Sequence, residues 1–261
     1  HREFQKTFIE TAYDERLRAV IGIKRPLPMP PHVSTGMSEW PLSGFHAVNR
    51  PVVSYDGSKE QFIGRYRGMH RPEAVEKGTL SGTLGKWNAP IASLHVQLSL
   101  EPNATEDTVF LLGKYDSQDA AQTMVHTYAS PEGVRSALQG VQKLWEPFLN
   151  RLRVETPDPA FNLMTNAWLK YQAIAGRIWA KTAYYQSSAA YGYRDQLQDS
   201  QVFLPLRPEL AKRQILLHAA QQFRDGAVRH WWFPLLDTGP RTGKTDDLLW
   251  LVFVTLSYLD E

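Results

Sequence analysis

The 261-residue chain is 43% hydrophobic and 21% charged, proportions that exclude disorder, collagen-like repeats and coiled coil and suit one large domain or two ordinary ones. Lys and Arg number 29 against 27 Asp and Glu, a near-neutral balance that argues against a nucleic-acid binder. The absence of cysteine excludes disulfides, thiolate nucleophiles and cysteine-ligated metals, and no apolar run reaches membrane-spanning length. Five of the eight Trp and six of the eleven Tyr fall in the last hundred residues, more aromatic surface than a core requires. Beside polar side chains, such rings suit a site that stacks flat ligands or sugars.

Residues 1–115 read as β structure. Leu17–Ile23, Pro51–Tyr55, Ser93–Leu100 and Thr108–Leu112 are short apolar or alternating runs, with Leu94, Val96, Leu98 and Leu100 predicted on one face. Turn-rich stretches separate them: Pro26–Pro31, Tyr55–Ser58 and Pro102–Asn103. This spacing predicts an antiparallel sandwich.

From Asp116 the period becomes helical. Ser117–Tyr128 predicts one helix; Ser130-Pro131-Glu132 opens another with a Ser cap, carrying Val134, Leu138, Val141, Leu144, Trp145 and Phe148 on one face. Glu155–Pro159 is a stiff break, and a helix follows from Ala160 to about Ala183. Arg207-Pro208 starts another helix, predicted to run to Phe223 and close at Gly226. Thr245 is predicted to cap the last, with Asp246 and Asp247 at the positive end of its dipole. Leu248–Leu259 is almost wholly apolar and the chain stops two residues later; with a first residue other than Met, this is read as a chain cut at both ends.

Several motifs fail on inspection. Gly239–Thr245 has three residues between its glycines where a Walker loop needs four, and no strand leads into it. The eight His show no metal-ligand spacing, and His218 reads as a core or surface residue within its helix. Ser187-Ser188 lacks the strand-to-helix context of a nucleophile elbow.

One stretch carries a signal. Tyr191–Asp199 packs Arg194, Asp195, Asp199, Gln196, Gln198, Tyr191 and Tyr193 into nine residues; if helical from Arg194, it sets Asp195 and Asp199 on one face with Gln198 adjoining. Carboxylates and amides beside aromatics match the needs of a pyranose, and Arg194 could hold Asp195 ionised. A helix N-terminus with a salt-bridged Asp accounts for the same residues equally well. Arg229–Pro234 adds His230, Trp231 and Trp232 in a predicted loop, with Arg241 following; a hydrophobic plug between helices is the alternative for the Trp pair.

Four ordered motifs, Asn166–Gln172, Tyr191–Asp199, His230–Pro234 and Thr245–Leu251, resemble the glycoside hydrolase family 94 phosphorylases. Phe62–Arg65 and Leu80–Thr83 resemble pieces of that family's sandwich domain. The family includes cellobiose, chitobiose and 1,2-β-oligoglucan phosphorylases and the carboxyl-terminal region of cyclic β-1,2-glucan synthases. The resemblance implies an α+β multidomain chain: an antiparallel β-sandwich (1–115), a helical linker (116–155) and the first part of an (α/α)6 barrel (156–261). It implies reversible, inverting phosphorolysis of a β-glucoside to α-glucose 1-phosphate, with phosphate as co-substrate and no cofactor or metal. Direct displacement by phosphate needs a single protein acid. Substrate-binding candidates are Tyr193, Arg194, Asp195, Gln198, Asp199, Lys181, His230, Trp231, Trp232 and Arg241, with Asp195 holding donor-sugar hydroxyls.

The departures also matter. Lys181 stands where relatives often carry Arg, and Phe233 where His is common. The family's general acid lies in an Asp-Trp-Asn-Asp motif that this chain lacks, so no catalytic residue is assigned within it and the chain alone is expected to be inactive. The implied partners are a β-linked gluco-oligosaccharide and phosphate, with a homodimer when full length and a cytoplasmic, bacterial address. A glucan synthase end domain and a non-catalytic sugar-binding module stand as alternatives.

Overall fold

The computed structural model describes residues 8–25, 41–86, 89–180, 190–235 and 237–261, with Thr245 described in backbone only. The predicted turn at 26–31, the end of the helix near Ala183, Ser187-Ser188 and Lys181 lie outside these residues. The chain divides into two compact units, His1–Gln139 and Gly140–Glu261.

In the first unit, β1 (Ile9–Asp14), β2 (Ala19–Lys24), β3 (Ser43–Val48), β5 (Gly85–Lys86) and β7 (Phe110–Tyr115) form one antiparallel sheet in the order β5-β1-β2-β3-β7. A second sheet pairs β4 (Ser54–Ser58) with β6 (Pro90–His95). His46 of β3 joins the two, its Nδ1–H donating to the Ala92 carbonyl at 2.7 Å. The helix α3 (Gln118–Tyr128) covers the large sheet. Ala121, Met124 and Val125 pack on Leu17, Ala19, Phe45, Ala47 and Leu111, the side chains that alternation turns to one face. Two short helices, α1 (Lys59–Ile63) and α2 (Glu73–Lys77), follow β4.

Strand positions shift from their predicted places. The strand predicted over Ser93–Leu100 is Pro90–His95, and Val96–Leu100 leave the sheet with Leu98 and Leu100 exposed. Pro51–Val53 precede the strand they were expected to form, while Tyr55–Ser58, read as a turn, lie within β4. A polar strand is possible because Asp56, 0% exposed, accepts hydrogen bonds from the Ser81 and Thr83 backbones, both at 3.1 Å, and from the Ser81 hydroxyl. A distant loop satisfies the buried charge.

Helix starts fall close to their predictions. Ser117, Ser130 and Asp158 each accept a bond from a first-turn amide, at 3.3, 2.9 and 2.9 Å. Along α4 (Pro131–Asn150) only a third of the predicted stripe is used: Trp145 and Phe148 join the core with Ile174, Ile178, Phe203 and Leu206, while Val134, Leu138, Val141 and Leu144 stay exposed. The next helix begins as α5 (Pro159–Leu163), widens into π turns over Met164–Trp168, returns to α geometry in α6 (Leu169–Tyr171), and widens again over Gln172–Trp179. One of its faces grips the preceding segment at intervals of four residues. Asn162 bonds both backbone groups of Thr156, Asn166 both of Val154, and Lys170 donates to the carbonyls of Leu149, Arg151 and Leu152. Lys170 thus serves the free carbonyls at the end of α4.

After β8 (Tyr191–Gly192) come α7 (Tyr193–Ser200) and α8 (Pro208–Ala219), the latter ending four residues before its predicted end at Phe223. Then β9 (Val228–Arg229), β10 (Trp231–Trp232) and β11 (Arg241–Thr242) lead to α9 (Thr245–Asp260). Lys244, not Thr245, occupies the cap position of α9, which has no side-chain cap bond. The predicted Trp loop is a strand: Trp231 pairs with Gly192 and Trp232 with Tyr191. On α9, Leu249, Val252, Phe253, Leu256 and Leu259 are exposed, while Val254 is buried.

Candidate functional site

The β8–β10 pair fixes the site. Tyr193 donates its backbone N–H to the His230 carbonyl at 2.9 Å, so α7 starts opposite the beginning of the Trp strand. A Cβ on Gly192 would lie 3.0 Å from an Asp195 oxygen, so the missing side chain leaves room for that carboxylate to fold back on the helix N-terminus. Arg194 spans two carboxylates. It reaches Asp246 of α9 at 3.0 Å and Asp195 only at 3.4 Å, so its stronger bond goes to a residue 52 positions away. The Asp246 bond, followed by the Asp195 charge, raises the Arg194 pKa, and the same bond holds the Asp246 carboxyl below its ordinary range.

Beside this pair lies a second one that the sequence reading missed. The Nδ1–H of His230 donates to Asp247 at 2.8 Å, and Asp247 is 1% exposed. Its other oxygen has no hydrogen-bond partner among the described residues, nor does the buried hydroxyl of Tyr193. Burial, and then the Asp247 charge, push the Tyr193 phenol up to about 12. Two orphaned polar atoms inside a packed cluster mark a place for a hydroxyl or an ordered water.

The remaining candidates separate. Trp232, also 1% exposed, is core: its ring lies 5.4 Å from Tyr191, 6.4 Å from Tyr193 and 5.0 Å from His218. It offers no face to a ligand, which corrects its reading as a sugar contact. His218 belongs to the same core; its Nδ1–H bonds the Gln214 carbonyl, and burial lowers its pKa to about 4. Trp231 is partly exposed and packs edge-on against Phe233 at 5.4 Å. Asp195 and Asp199 do share a face, yet Asp199 is taken up by Arg177 at 2.7 Å; burial still raises its pKa, with Asp195 adding to the rise. Gln198 is exposed. Arg241 pairs with Asp225 and lies over the Phe223 ring. The structure therefore gathers Tyr193, Arg194, Asp195 and His230 with Asp246 and Asp247, and holds Asp199 and Arg241 in pairs of their own. Among the described residues, no three His, Asp or Glu converge as metal ligands, and no helix is long and apolar enough to cross a membrane.

A β-sheet unit is followed by a helical unit that brings acids, an arginine and aromatics to one cluster. The chain belongs to glycosyl hydrolase family 94: it matches the supersandwich domain over residues 1–131 and the catalytic domain over residues 144–261. It is 39% identical over 215 residues to the cyclic beta-(1,2)-glucan synthase NdvB of Rhizobium meliloti, a match covering 82% of this chain and 8% of that protein. It is 27% identical to the N,N'-diacetylchitobiose phosphorylase of Vibrio proteolyticus, over 69% of this chain and 23% of that one. With the solabiose phosphorylase of Paenibacillus borealis it shares 26%, over 88% and 28%. The chain thus spans less than a third of each of these relatives.

Proposed function

We propose that this chain is the sandwich, linker (116–155) and opening part of an (α/α)6 catalytic barrel of an inverting carbohydrate phosphorylase. Phosphate attacks the anomeric carbon of a β-linked gluco-oligosaccharide, the glycosidic bond breaks, a general acid of the full-length protein protonates the departing oxygen, and α-glucose 1-phosphate of inverted configuration and the shortened saccharide are released. The observation that carries this reading is the cluster around Arg194. Asp195 accepts hydrogen bonds from donor-sugar hydroxyls, and Arg194 orients its carboxylate through a network anchored on Asp246. His230, held through Nδ1 by the buried Asp247, presents Nε2 as a contact of fixed orientation. Trp231 supplies apolar surface and Gln198 an exposed polar group. Asp195 binds sugar and does not transfer the proton; the chain has no Asp-Trp-Asn-Asp sequence. The reaction needs no cofactor beyond phosphate, and the full-length protein is a cytoplasmic homodimer in this reading.

The 39% identity to a glucan synthase, against 27% and 26% to phosphorylases, favours a second reading: the carboxyl-terminal region of a cyclic β-1,2-glucan synthase. Glucose 1-phosphate release by the full-length protein, assayed with phosphate and a panel of β-linked oligosaccharides, tests both. Activity on several disaccharides supports the phosphorylase, and activity confined to β-1,2-glucan the synthase. Asp195→Asn removes a charge-assisted bond worth about 1.5–3 kcal/mol, so kcat/KM falls at least tenfold. A change under about twofold defeats the assignment.

A further inference from the structure

Both sandwich-unit motifs, Phe62–Arg65 and Leu80–Thr83, converge on one cavity that the candidate site does not use. The cavity, of about 800 Å³, lies between α1, α2 and the loop that Asp56 pins. Gly64 closes the end of α1 with φ at 84°, and a Cβ there would meet the Glu73 side chain at 2.2 Å, so only glycine permits this approach of α1 to α2. The polar wall comprises Lys59, Glu60, Gln61, Arg65, Glu73 and Lys77, and Ala74 and Leu80 give it an apolar patch.

Charge decides the ligand class. Lys59, Arg65 and Lys77 face Asp56, Glu60 and Glu73, so the cavity is neutral overall, and Lys77 is already paired with Glu73. A phosphate or other anion would meet as many carboxylates as cations. No convergent metal-ligand set exists among the described residues. Balanced charges beside an apolar patch suit a neutral molecule with both hydroxyls and apolar ring faces.

An exposed aromatic adjoins the lining residue Arg65. Tyr66 follows Arg65 directly, is 92% exposed, and has φ at 61°, a left-handed backbone that a bulky residue adopts only at a cost. The Arg65 guanidinium lies 5.0 Å from its ring centroid, steadying the phenol. Arg67 and Arg71 both grip Glu76 and fix the rest of the loop. An exposed aromatic next in sequence to a lining residue of a charge-balanced, partly apolar cavity of this size suits an oligosaccharide, with the ring as platform and the charged side chains reading hydroxyls.

We infer that this cavity is a second carbohydrate site, taking a neutral oligosaccharide on the sandwich unit independently of the Asp195 cluster. The choice of β-linked glucose units rests on the reading under Proposed function; the class of ligand does not. The test titrates the 261-residue chain and the full-length protein with β-1,2- and β-1,4-linked glucotetraoses by calorimetry. Tyr66→Ala and Arg65→Ala change exposed side chains and leave the fold intact, as circular dichroism would verify. Each is expected to weaken one class of binding site about tenfold, while Asp195→Asn leaves that class within about twofold. Three results overturn the inference: unchanged affinity in both variants, no binding at about 10 mM oligosaccharide, or displacement of the sugar by inorganic phosphate. Sugar binding lost only with Asp195→Asn would also overturn it, while leaving the proposed function standing. Sugar binding lost only with Tyr66→Ala would leave this inference standing without that function.

Discussion

Two buried carboxylates, one in each unit, meet opposite fates. Asp56 in the sandwich unit has three donors, two backbone amides and a hydroxyl, and so welds a polar strand to a loop 25 residues away. Asp247 in the helical unit has one among the described residues, the His230 imidazole; there its other oxygen finds no partner, and neither does the Tyr193 hydroxyl. Burying an unsatisfied carboxylate oxygen costs free energy that folding alone does not return. The satisfied acid builds the fold; the other keeps the capacity for one more hydrogen bond.

Three measurements can break this contrast. The largest effect is expected at Asp56: Asp56→Ala takes the acceptor from two part-buried amides and a hydroxyl and should cost the first unit about 4 kcal/mol in denaturant unfolding. Loss below about 1 kcal/mol would show that water replaces the carboxylate easily. Next comes acid. His218 has a pKa of about 4 when folded against an ordinary 6.5, so it stays neutral in the fold while the unfolded chain takes up a proton. Stability is therefore full above about pH 6.5 and falls by about 3 kcal/mol as pH drops to about 4. His218→Phe should flatten that slope, and unchanged pH dependence would place the titrating group elsewhere. The smallest shift belongs to Asp247→Asn, which retains shape and should move stability by about 1 kcal/mol or less. Its signature is instead in the ¹⁵N spectrum of His230, whose Nδ1–H tautomer should lose its dominance. A large drop in stability with an unaltered imidazole would make Asp247 a structural acid like Asp56.

What could be read in the sequence was local. Ser117 and Ser130 open helices where they were expected because a cap and the amide it serves lie three residues apart, while Asp158, read only as part of a break, caps the next one in the same way. Tyr55–Ser58 were misread because Asp-Gly next to Ser signals a turn, and the groups that make Asp56 a strand residue come from Ser81 and Thr83. The Trp pair was misread for the same reason: a two-residue strand has no periodicity, and its partner lies forty residues back. Asp195 and Arg194 were found from composition, but Asp247 was taken for a helix-dipole acid, the role its neighbour Asp246 can fill on the surface. Nothing within its own segment reveals that His230 covers it. The four ordered motifs supplied family membership, which the matches over both halves of the chain bear out.

The row of Asn162, Asn166 and Lys170 changes what residues 149–156 are. Their sequence, with prolines following at 157 and 159, has the makings of a hinge. Yet Thr156 and Val154 each give and receive backbone hydrogen bonds as if beside a β-strand, except that the neighbour is a helix offering side-chain amides. The segment is a splint. A protease, which must draw several residues into an extended and unpaired form, would first have to peel it off the helix, so a stretch of linker composition should resist cleavage as an element of regular structure does.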